Sequence, residues 1–390
     1  MNMYKVAIAA LLSAVAMTAH SAADPNKVLR TSMNAPETGL DPARISDVPS
    51  ITLIENMFEP LLSYDYVARP AKLVPNTLTA MPEVSSDGRT FTFHLLHGVY
   101  FAPDPVFKGQ KRELTAADYV YSFKRLVDPA TSSPNNYLVS GKFVGLDELV
   151  EKNQKKAGKF DYDSTVEGLK ALDRYTLQIK LKGEDPSLLF VLTMPQTGAV
   201  AREVIQAYGT DIMAHPVGTG PYMLQEWKQG LKTTLVANPN FHHVVYDFHP
   251  EAGDEEGERV AREMNGKTMP QIGKIEYNIY TEEQPMWLSF KSQQLDELYG
   301  VPQPLIRGVL VSDPHNPRRV ALKPEYRKLG IKLTRNLQTE VTYHTFNMKD
   351  PVLGGLSKDK IALRRAIAMS FDEDRSSATS AAIRPCACNT

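Results

Sequence analysis

The sequence predicts a mixed α/β fold, because stretches with strand periodicity and stretches with helix periodicity alternate along its 390 residues. Residues 177–181 alternate apolar and polar side chains, which is typical of a half-buried strand. Residues 120–127 place apolar side chains at helical spacing instead. With 42% hydrophobic and 23% charged residues, the chain suits a globular protein of two or three domains.

Turn and capping motifs mark the boundaries of several elements. The Asp-Gly pair at residues 87–88 indicates a hairpin turn before an alternating strand at residues 90–95. Thr115 with Asp118 predicts a capping box that begins a helix, and the Asp-Pro pair at residues 128–129 ends it.

Further elements follow in the second half of the chain. Residues 201–208 predict a helix closed by Gly209. Residues 275–279 predict a strand, and residues 281–284 predict a second capping box. The helix that follows this box should place Trp287 on its core face.

Charge and cysteine content exclude several classes of protein. The net charge of −1 and the isoelectric point of about 6.8 provide no attraction to nucleic acid or to anionic lipid. Residues 247–262 are acidic and flanked by glycine, which favours a solvated loop or linker. Cys386 and Cys388 lie in the last five positions, so no disulfide or zinc framework holds the body together.

Residues 1–23 have the pattern of a secretory signal peptide. Lys5 precedes an apolar run at residues 6–17, and small residues precede Asp24. The run is too short to span a bilayer. We therefore expect cleavage near Ala23, export to the periplasm and no insertion of the mature protein in the membrane.

Residues 215–222, His-Pro-Val-Gly-Thr-Gly-Pro-Tyr, form the most informative motif of the chain. Gly218 and Gly220 allow backbone angles that side chains forbid, and the flanking prolines fix φ. A hairpin with one buried face at residues 231–236 should follow. Met223 stands where a dinucleotide fingerprint requires its third glycine, so we interpret the turn as scaffold.

This turn resembles the signature of the extracellular solute-binding proteins of family 5, the periplasmic peptide, dipeptide and nickel receptors of ABC importers. Other matches follow in the family's order between about residues 28 and 375. Residues 36–42 are similar to the opening strand and turn, residues 56–62 to the next helix, and residues 86–95 to the following hairpin.

The resemblance implies a periplasmic-binding-protein-like clamp of class II, with two lobes and an extra inserted domain. Lobe I would comprise residues 24–57 and 185–282, the inserted domain residues 58–184, and a partial lobe III residues 283–375. Family members continue past this point, so the second lobe is expected to be incomplete and its ligand binding impaired.

The last residues change abruptly in character. Residues 363–371 predict an amphipathic helix that is similar to one of the family. Residues 376–390 are small and polar and continue no pattern, which favours an aberrant or disordered tail after a frameshift or truncation. A native divergent tail is the alternative.

Candidate ligand contacts come from the resemblance. In family members the opening strand and the segment after the capping-box helix border the ligand, and the matching positions are Asn34, Glu37, Asn135, Asn136 and Tyr137. Tyrosine offers a ring and a hydroxyl, and asparagine offers a donor and an acceptor, which suits a peptide-like solute. Ordinary turn chemistry would explain the two asparagines equally well.

The candidate metal cluster consists of His242, His243, Asp247, His249 and Glu251. Adjacent histidines on a strand point to opposite faces, so we predict a polar surface loop there. The common hydrolase motifs are missing from the sequence. We expect no catalytic residues, no metal ligands and no cofactor.

These observations predict a monomeric, non-enzymatic receptor in the periplasm. It would close around a small molecule or short peptide and deliver it to the permease subunits of an ABC importer. Binding of nucleic acid is not expected. The alternatives are a nickel or other small-solute receptor of the same fold, a sensor or chaperone, and a secreted metal-dependent hydrolase.

Overall fold

The computed structural model describes residues 23–155, 160–313, 316–334 and 345–370. Most of the predicted signal peptide and all of the 376–390 tail lie outside these residues. The described residues divide into two compact units. The first unit falls within Met1–Val28, Glu37–Trp227 and Thr234–Lys274, and the second within Leu29–Pro36, Lys228–Thr233 and Ile275–Thr390. The lobe boundaries inferred above stay predictions.

Strands and helices alternate along the described chain, as the sequence predicts. The strands are β1 (Asp24–Met33), β2 (Leu62–Tyr64), β3 (Leu73–Pro75), β4 (Glu83–Val84), β5 (Thr90–His94), β6 (Leu169–Ala171), β7 (Thr176–Lys180), β8 (Tyr222–Lys228), β9 (Lys232–Ala237), β10 (Val244–Val245), β11 (Thr268–Met269), β12 (Ile272–Ile279), β13 (Leu310–Asp313) and β14 (Asn316–Leu322). The α-helices are α1 (Val48–Ile54), α2 (Ala116–Val127), α3 (Leu146–Gln154), α4 (Leu188–Val191), α5 (Arg202–Tyr208), α6 (Glu255–Met264), α7 (Glu283–Lys291), α8 (Ile306–Val309), α9 (Pro324–Lys328) and α10 (Lys358–Met369). Short 3-10 helices lie at Pro105–Phe107, Asn136–Leu138, Pro195–Thr197, Gly209–Ala214 and Gln303–Leu305.

An antiparallel sheet of order β4-β5-β7-β6 forms the centre of the first unit. Phe91 pairs with Ile179 and Phe93 with Leu177, so the apolar positions of both strands share one face. All four side chains are buried, while the intervening residues are at least partly accessible. The alternation predicted for residues 90–95 and 177–181 is thereby confirmed.

Helix α2 belongs to the same apolar core as this sheet. The capping box is present, and in it the Thr115 backbone N–H donates to Asp118 Oδ2 at 2.8 Å. The Thr115 hydroxyl also donates to this oxygen at 2.8 Å. Asp128 ends the helix, as the sequence predicts. Phe123 is fully buried in the core, beside Phe143. Burying a side chain of this size contributes about 2 kcal/mol.

The predicted hairpin after residue 222 is formed by neighbouring strands β8 and β9. Gly230 sits in its turn with a φ of 70°, which glycine adopts without strain. The strand order of this sheet is β1-β12-β9-β8. Thr234 is buried along with its neighbours Thr233 and Leu235, so β9 departs from the expectation of a single buried face.

The second helix start differs from the prediction, because Glu282 rather than Thr281 occupies the N-cap of α7, without a side-chain cap. A proline explains the shift. With this cap, Pro285 is the third helical residue, where no backbone donor is needed. If Thr281 were the N-cap, Pro285 would be the fourth helical residue. Its missing N–H would then remove the first intrahelical hydrogen bond.

Two other local expectations were also wrong. The acidic stretch 247–262 contains most of α6 and is therefore not a loop throughout. Asp254 caps this helix by accepting from the Gly257 N–H at 3.0 Å. Arg259 stabilises it through ion pairs with Glu256 and Glu263. Residues 56–62 follow α1 and lead into β2. The carbonyls of Asn56 and Met57 accept hydrogen bonds from the backbone N–H groups of Tyr222 and Gly220, so these residues do not continue a helix.

Candidate functional site

The glycine-rich turn is packed against residues 56 and 57 of the first unit. A Cβ on Gly218 would lie 2.0 Å from the Met57 carbonyl oxygen, and one on Gly220 would lie 2.6 Å from that of Asn56. The Gly220 N–H donates to the Met57 carbonyl at 2.9 Å. Only glycine permits such an approach of two backbones, so this turn is a structural joint, as predicted.

Residues 36–42 were expected to contain the opening strand and turn, but the strand is β1 and these residues follow it as an irregular opening segment. A buried ion pair fixes this segment. Both guanidinium Nη atoms of Arg125, on α2, donate to the carboxylate of Asp41 at 2.8 and 2.7 Å. The two side chains are 5% and 0% exposed. The Leu40 N–H donates to the Met213 carbonyl at 2.9 Å. The segment therefore has one well-defined position in the first unit.

Glu37 and Asn34, the two predicted contacts near β1, have different surroundings. Glu37 is buried in the first unit, and its Oε1 accepts a hydrogen bond from Trp227 Nε1. Asn34 belongs to the second unit and is exposed.

The other predicted contacts lie at the start of the 3-10 helix after α2, with Asn135 as its N-cap. Asn135 is buried, and its Nδ2 donates to the Ile45 carbonyl at 2.8 Å. Asn136 is exposed, and the side chain of Tyr137 is 60% exposed. This bond places residues 135–137 next to Ile45, which follows the opening segment. The first unit thus exposes the side chains of Asn136 and Tyr137, and the buried bond of Asn135 holds their backbone in position.

The histidine cluster is dispersed rather than assembled. His242 Nε2 is bonded to Glu59 Oε1 at 2.8 Å in a buried pair, whereas His243 is exposed. His249 and Asp247 form an exposed pair at 3.2 Å. Among the described residues, no group of three or more His, Cys, Asp or Glu side chains could hold a metal ion.

The second unit has a pocket of about 670 Å³ with both apolar and charged side chains in its lining. Trp287, Phe290 and Tyr326 contribute aromatic rings, with centroids 5.8 Å apart in the pairs that Trp287 forms. Arg30 and Asp296 lie at this pocket and are paired at 3.2 Å.

Sequence reasoning predicted Trp287 as a core residue, and it is 7% exposed in the apolar cluster of the second unit. The pocket itself was not predicted from the sequence. The pocket combines residue 30 with residues 287–301 and 322–334, and no local periodicity connects segments so far apart in sequence.

No helix in the described part of the chain is long and apolar enough to cross a membrane.

Comparison with known proteins identifies the family. The model of the bacterial extracellular solute-binding proteins, family 5 Middle, matches residues 72–379. The match includes the α2 capping box and the glycine-rich turn. The chain belongs to this family of solute-binding proteins, as its motifs predicted.

Two curated relatives are similar over part of their length. The periplasmic oligopeptide-binding protein OppA of Escherichia coli is 30% identical over 206 residues, which cover 52% of this chain and 34% of the relative. The di/tripeptide-binding protein 2 of Pseudomonas aeruginosa is 26% identical over 251 residues, covering 59% and 41%. The chain thus spans well under half the length of these relatives.

Solved structures show the same fold. The Haemophilus influenzae OppA complex with the peptide RPPGFSPFR aligns with a TM-score of 0.56 at 20% identity, covering 72% of this chain and 48% of that one. The predicted α/β fold of the periplasmic-binding-protein type is confirmed.

Proposed function

We propose that this protein is the substrate-binding component of an ABC importer, that it acts in the periplasm without catalysing a reaction, and that its solute is a short peptide. The observation that carries the proposal is the family match over residues 72–379. The relatives described above are named for binding oligopeptides and di- or tripeptides, which supports the peptide class of solute.

The exposed members of the predicted set are assigned to ligand contact. Asn34, Asn136 and Tyr137 are exposed, so their side chains can meet a solute without unfolding. An asparagine amide can donate to and accept from a peptide backbone, and the tyrosine ring can cover an apolar side chain. Asn135 and Glu37 are not assigned to ligand contact, because they are buried and already make hydrogen bonds within the protein.

The buried members act as positioning residues. Asn135 holds the 3-10 helix to Ile45, and Glu37 is bonded to Trp227. Loss of either side chain would displace the backbone that carries the contacts. A displacement of this kind weakens binding because a misplaced polar group loses its hydrogen bond.

Thermal denaturation of the purified chain with a defined panel of synthetic tripeptides, maltose and Ni²⁺ tests the proposal. A ligand that binds only the folded state at 100 times its Kd stabilises that state by about 2.7 kcal/mol, which raises Tm. We expect this increase with tripeptides and not with the sugar or the metal. The absence of any shift with tripeptides would contradict the peptide assignment.

A pair of tyrosine variants locates the site. Tyr137→Ala should weaken the peptide-induced shift, because it removes the exposed ring beside Asn136. Tyr64→Ala is the matched control, since Tyr64 is 46% exposed in the same unit and lies outside the candidate segments. Equal shifts in the two variants would remove Tyr137 from the site.

A further inference from the structure

The first unit contains a groove that shares no residue with the candidate peptide site. It has a volume of about 570 Å³ and lies between α2, residues 162–171 and the start of α5. Val120, Tyr121 and Lys124 line it from α2, and Tyr162 and Arg202 line it from the other side. A volume of this size suits a small organic molecule.

Lys124 is a buried cation that forms no direct ion pair with any residue in the described part of the chain. The residue is 3% exposed, and its Nζ donates to two neutral acceptors, the carbonyls of Tyr162 at 2.8 Å and Ser164 at 2.7 Å. Among the described residues no carboxylate forms an ion pair with it. An ammonium has three N–H groups, so one donor remains. Burial lowers the pKa of Lys124, although the charges of Asp161 and Asp163 act in the opposite direction.

The nearby acidic groups are already engaged. Asp163 is paired with Arg202, with one Nη2–Oδ2 contact of 3.1 Å. Asp161 accepts from the Ser164 hydroxyl at 2.6 Å and from the backbone N–H groups of residues 163 and 164. Arg112, at the other end of the groove, binds Asp118 and Glu203. Asp161 and Asp163 therefore act on Lys124 only through their charge, and among the described residues its direct partners are the two carbonyls.

The wall of the groove is aromatic as well as cationic. The rings of Tyr121 and Tyr162 are 4.7 Å apart, and the Arg202 guanidinium lies 5.8 and 6.0 Å from their centroids. Val120 adds an apolar contact on the same face of α2. The surface accepts a flat apolar body that carries one negative charge.

We propose that this groove binds a small aromatic carboxylate, with the carboxylate as the partner of Lys124 and the ring against Tyr121 and Val120. The site is independent of the peptide-receptor function, because its residues and its ligand chemistry are different. A charge-assisted hydrogen bond from Lys124 provides the selectivity for an anion over a neutral isostere.

Calorimetric titration of the full chain with benzoate and with benzamide tests this assignment. Benzamide has the same ring and no charge. We expect benzoate to bind at least tenfold more tightly, a difference of about 1.4 kcal/mol. Equal affinities, or no binding of benzoate, would overturn the proposal.

Variants of the groove identify the cation. Lys124→Met should weaken benzoate at least tenfold, whereas Lys72→Gln, which changes an exposed lysine of the first unit outside the groove, should leave the affinity within twofold. Val120→Asp provides a second route if Lys124→Met does not fold. An aspartate four residues before Lys124 supplies an internal partner and should abolish benzoate binding. Unchanged benzoate affinity in folded Lys124→Met or in Val120→Asp would refute the site.

The two proposals fail separately. Peptides should not compete with benzoate, and Tyr137→Ala should leave benzoate affinity unchanged. Benzoate binding without any peptide response would contradict the receptor proposal alone, while peptide binding without benzoate selectivity would contradict the groove alone.

Discussion

Asp41 and Arg125 show how a single contact positions the candidate site. Both side chains are buried, and their two hydrogen bonds join the opening segment to α2. Removal of one partner leaves an uncompensated charge in the core, which is more costly than the absence of the pair. The stability of the first unit therefore depends strongly on this contact.

We expect Arg125→Met to lower the free energy of unfolding by about 3–5 kcal/mol, because Asp41 remains buried without its partner. Urea denaturation followed by circular dichroism measures the change. Lys182→Met is the control, since its pair with Asp147 is 37% and 32% exposed. The control should lose less than about 1 kcal/mol. Similar losses in both variants would show that the buried pair has no special role.

Helix α1 depends on one capping side chain. Asp47 Oδ1 accepts from the Ser50 N–H at 2.9 Å, and its Oδ2 accepts from the Thr38 hydroxyl. Burial opposes ionisation of this carboxyl, but the hydrogen bonds from Thr38 and Ser50 outweigh it and hold the pKa of Asp47 below its ordinary value of 3.8. The ionised cap thus stabilises the folded state.

Asp47→Ala should lose about 1 kcal/mol of unfolding free energy at pH 7, the usual contribution of an N-cap. Because the folded-state pKa lies below the unfolded value, the stabilisation by ionised Asp47 is complete above 3.8 and is lost as the pH falls through the folded pKa. The difference between wild type and variant should shrink from pH 7 to pH 3 in chemical denaturation. Asp47→Asn keeps a cap acceptor and should show a smaller loss at pH 7. A difference independent of pH would contradict the role of the charge.

The two units differ in the apolar core that supports them. The main apolar cluster of the first unit draws its members from many positions between Ala43 and Val217. Among the described residues of the second unit, the cluster around Trp287 is smaller, with Ile306, Val309, Leu310 and Leu322 as its other buried members. Helix α10 forms as predicted, yet Leu363 and Ile367 on it are 40% and 42% exposed. Local unfolding is easiest where few apolar contacts must be broken.

We therefore expect limited proteolysis to cut the described part of the second unit before that of the first. Mass spectrometry of a trypsin time course should show early cleavage among residues 275–370 and persistence of the segment 90–227. Thermolysin, which has a different specificity, serves as the control for the distribution of lysine and arginine. Early cleavage between residues 90 and 180 by both enzymes would contradict the prediction.

Many elements were predictable because their signals are local. The alternation at residues 177–181, the Thr115 cap and the Gly209 stop each depend on residues within a few positions of one another, and the structure confirms all three. The helix α7 starts one residue later than the capping-box pattern predicts, because Pro285 has no backbone N–H for the hydrogen bond that the earlier start requires. Helix α6 was missed because its exposed charges were interpreted as a loop.

The sequence was enough to establish the α/β class, the order of these elements and the family, since backbone propensity, turn chemistry and motif order are written along the chain. The candidate site required the folded protein. The Asp41–Arg125 and Ile45–Asn135 contacts join residues 84 and 90 positions apart, and the fold places the Lys124 ammonium against the Tyr162 carbonyl, 38 positions away. Such pairings depend on how buried groups satisfy one another in three dimensions, which no local pattern records.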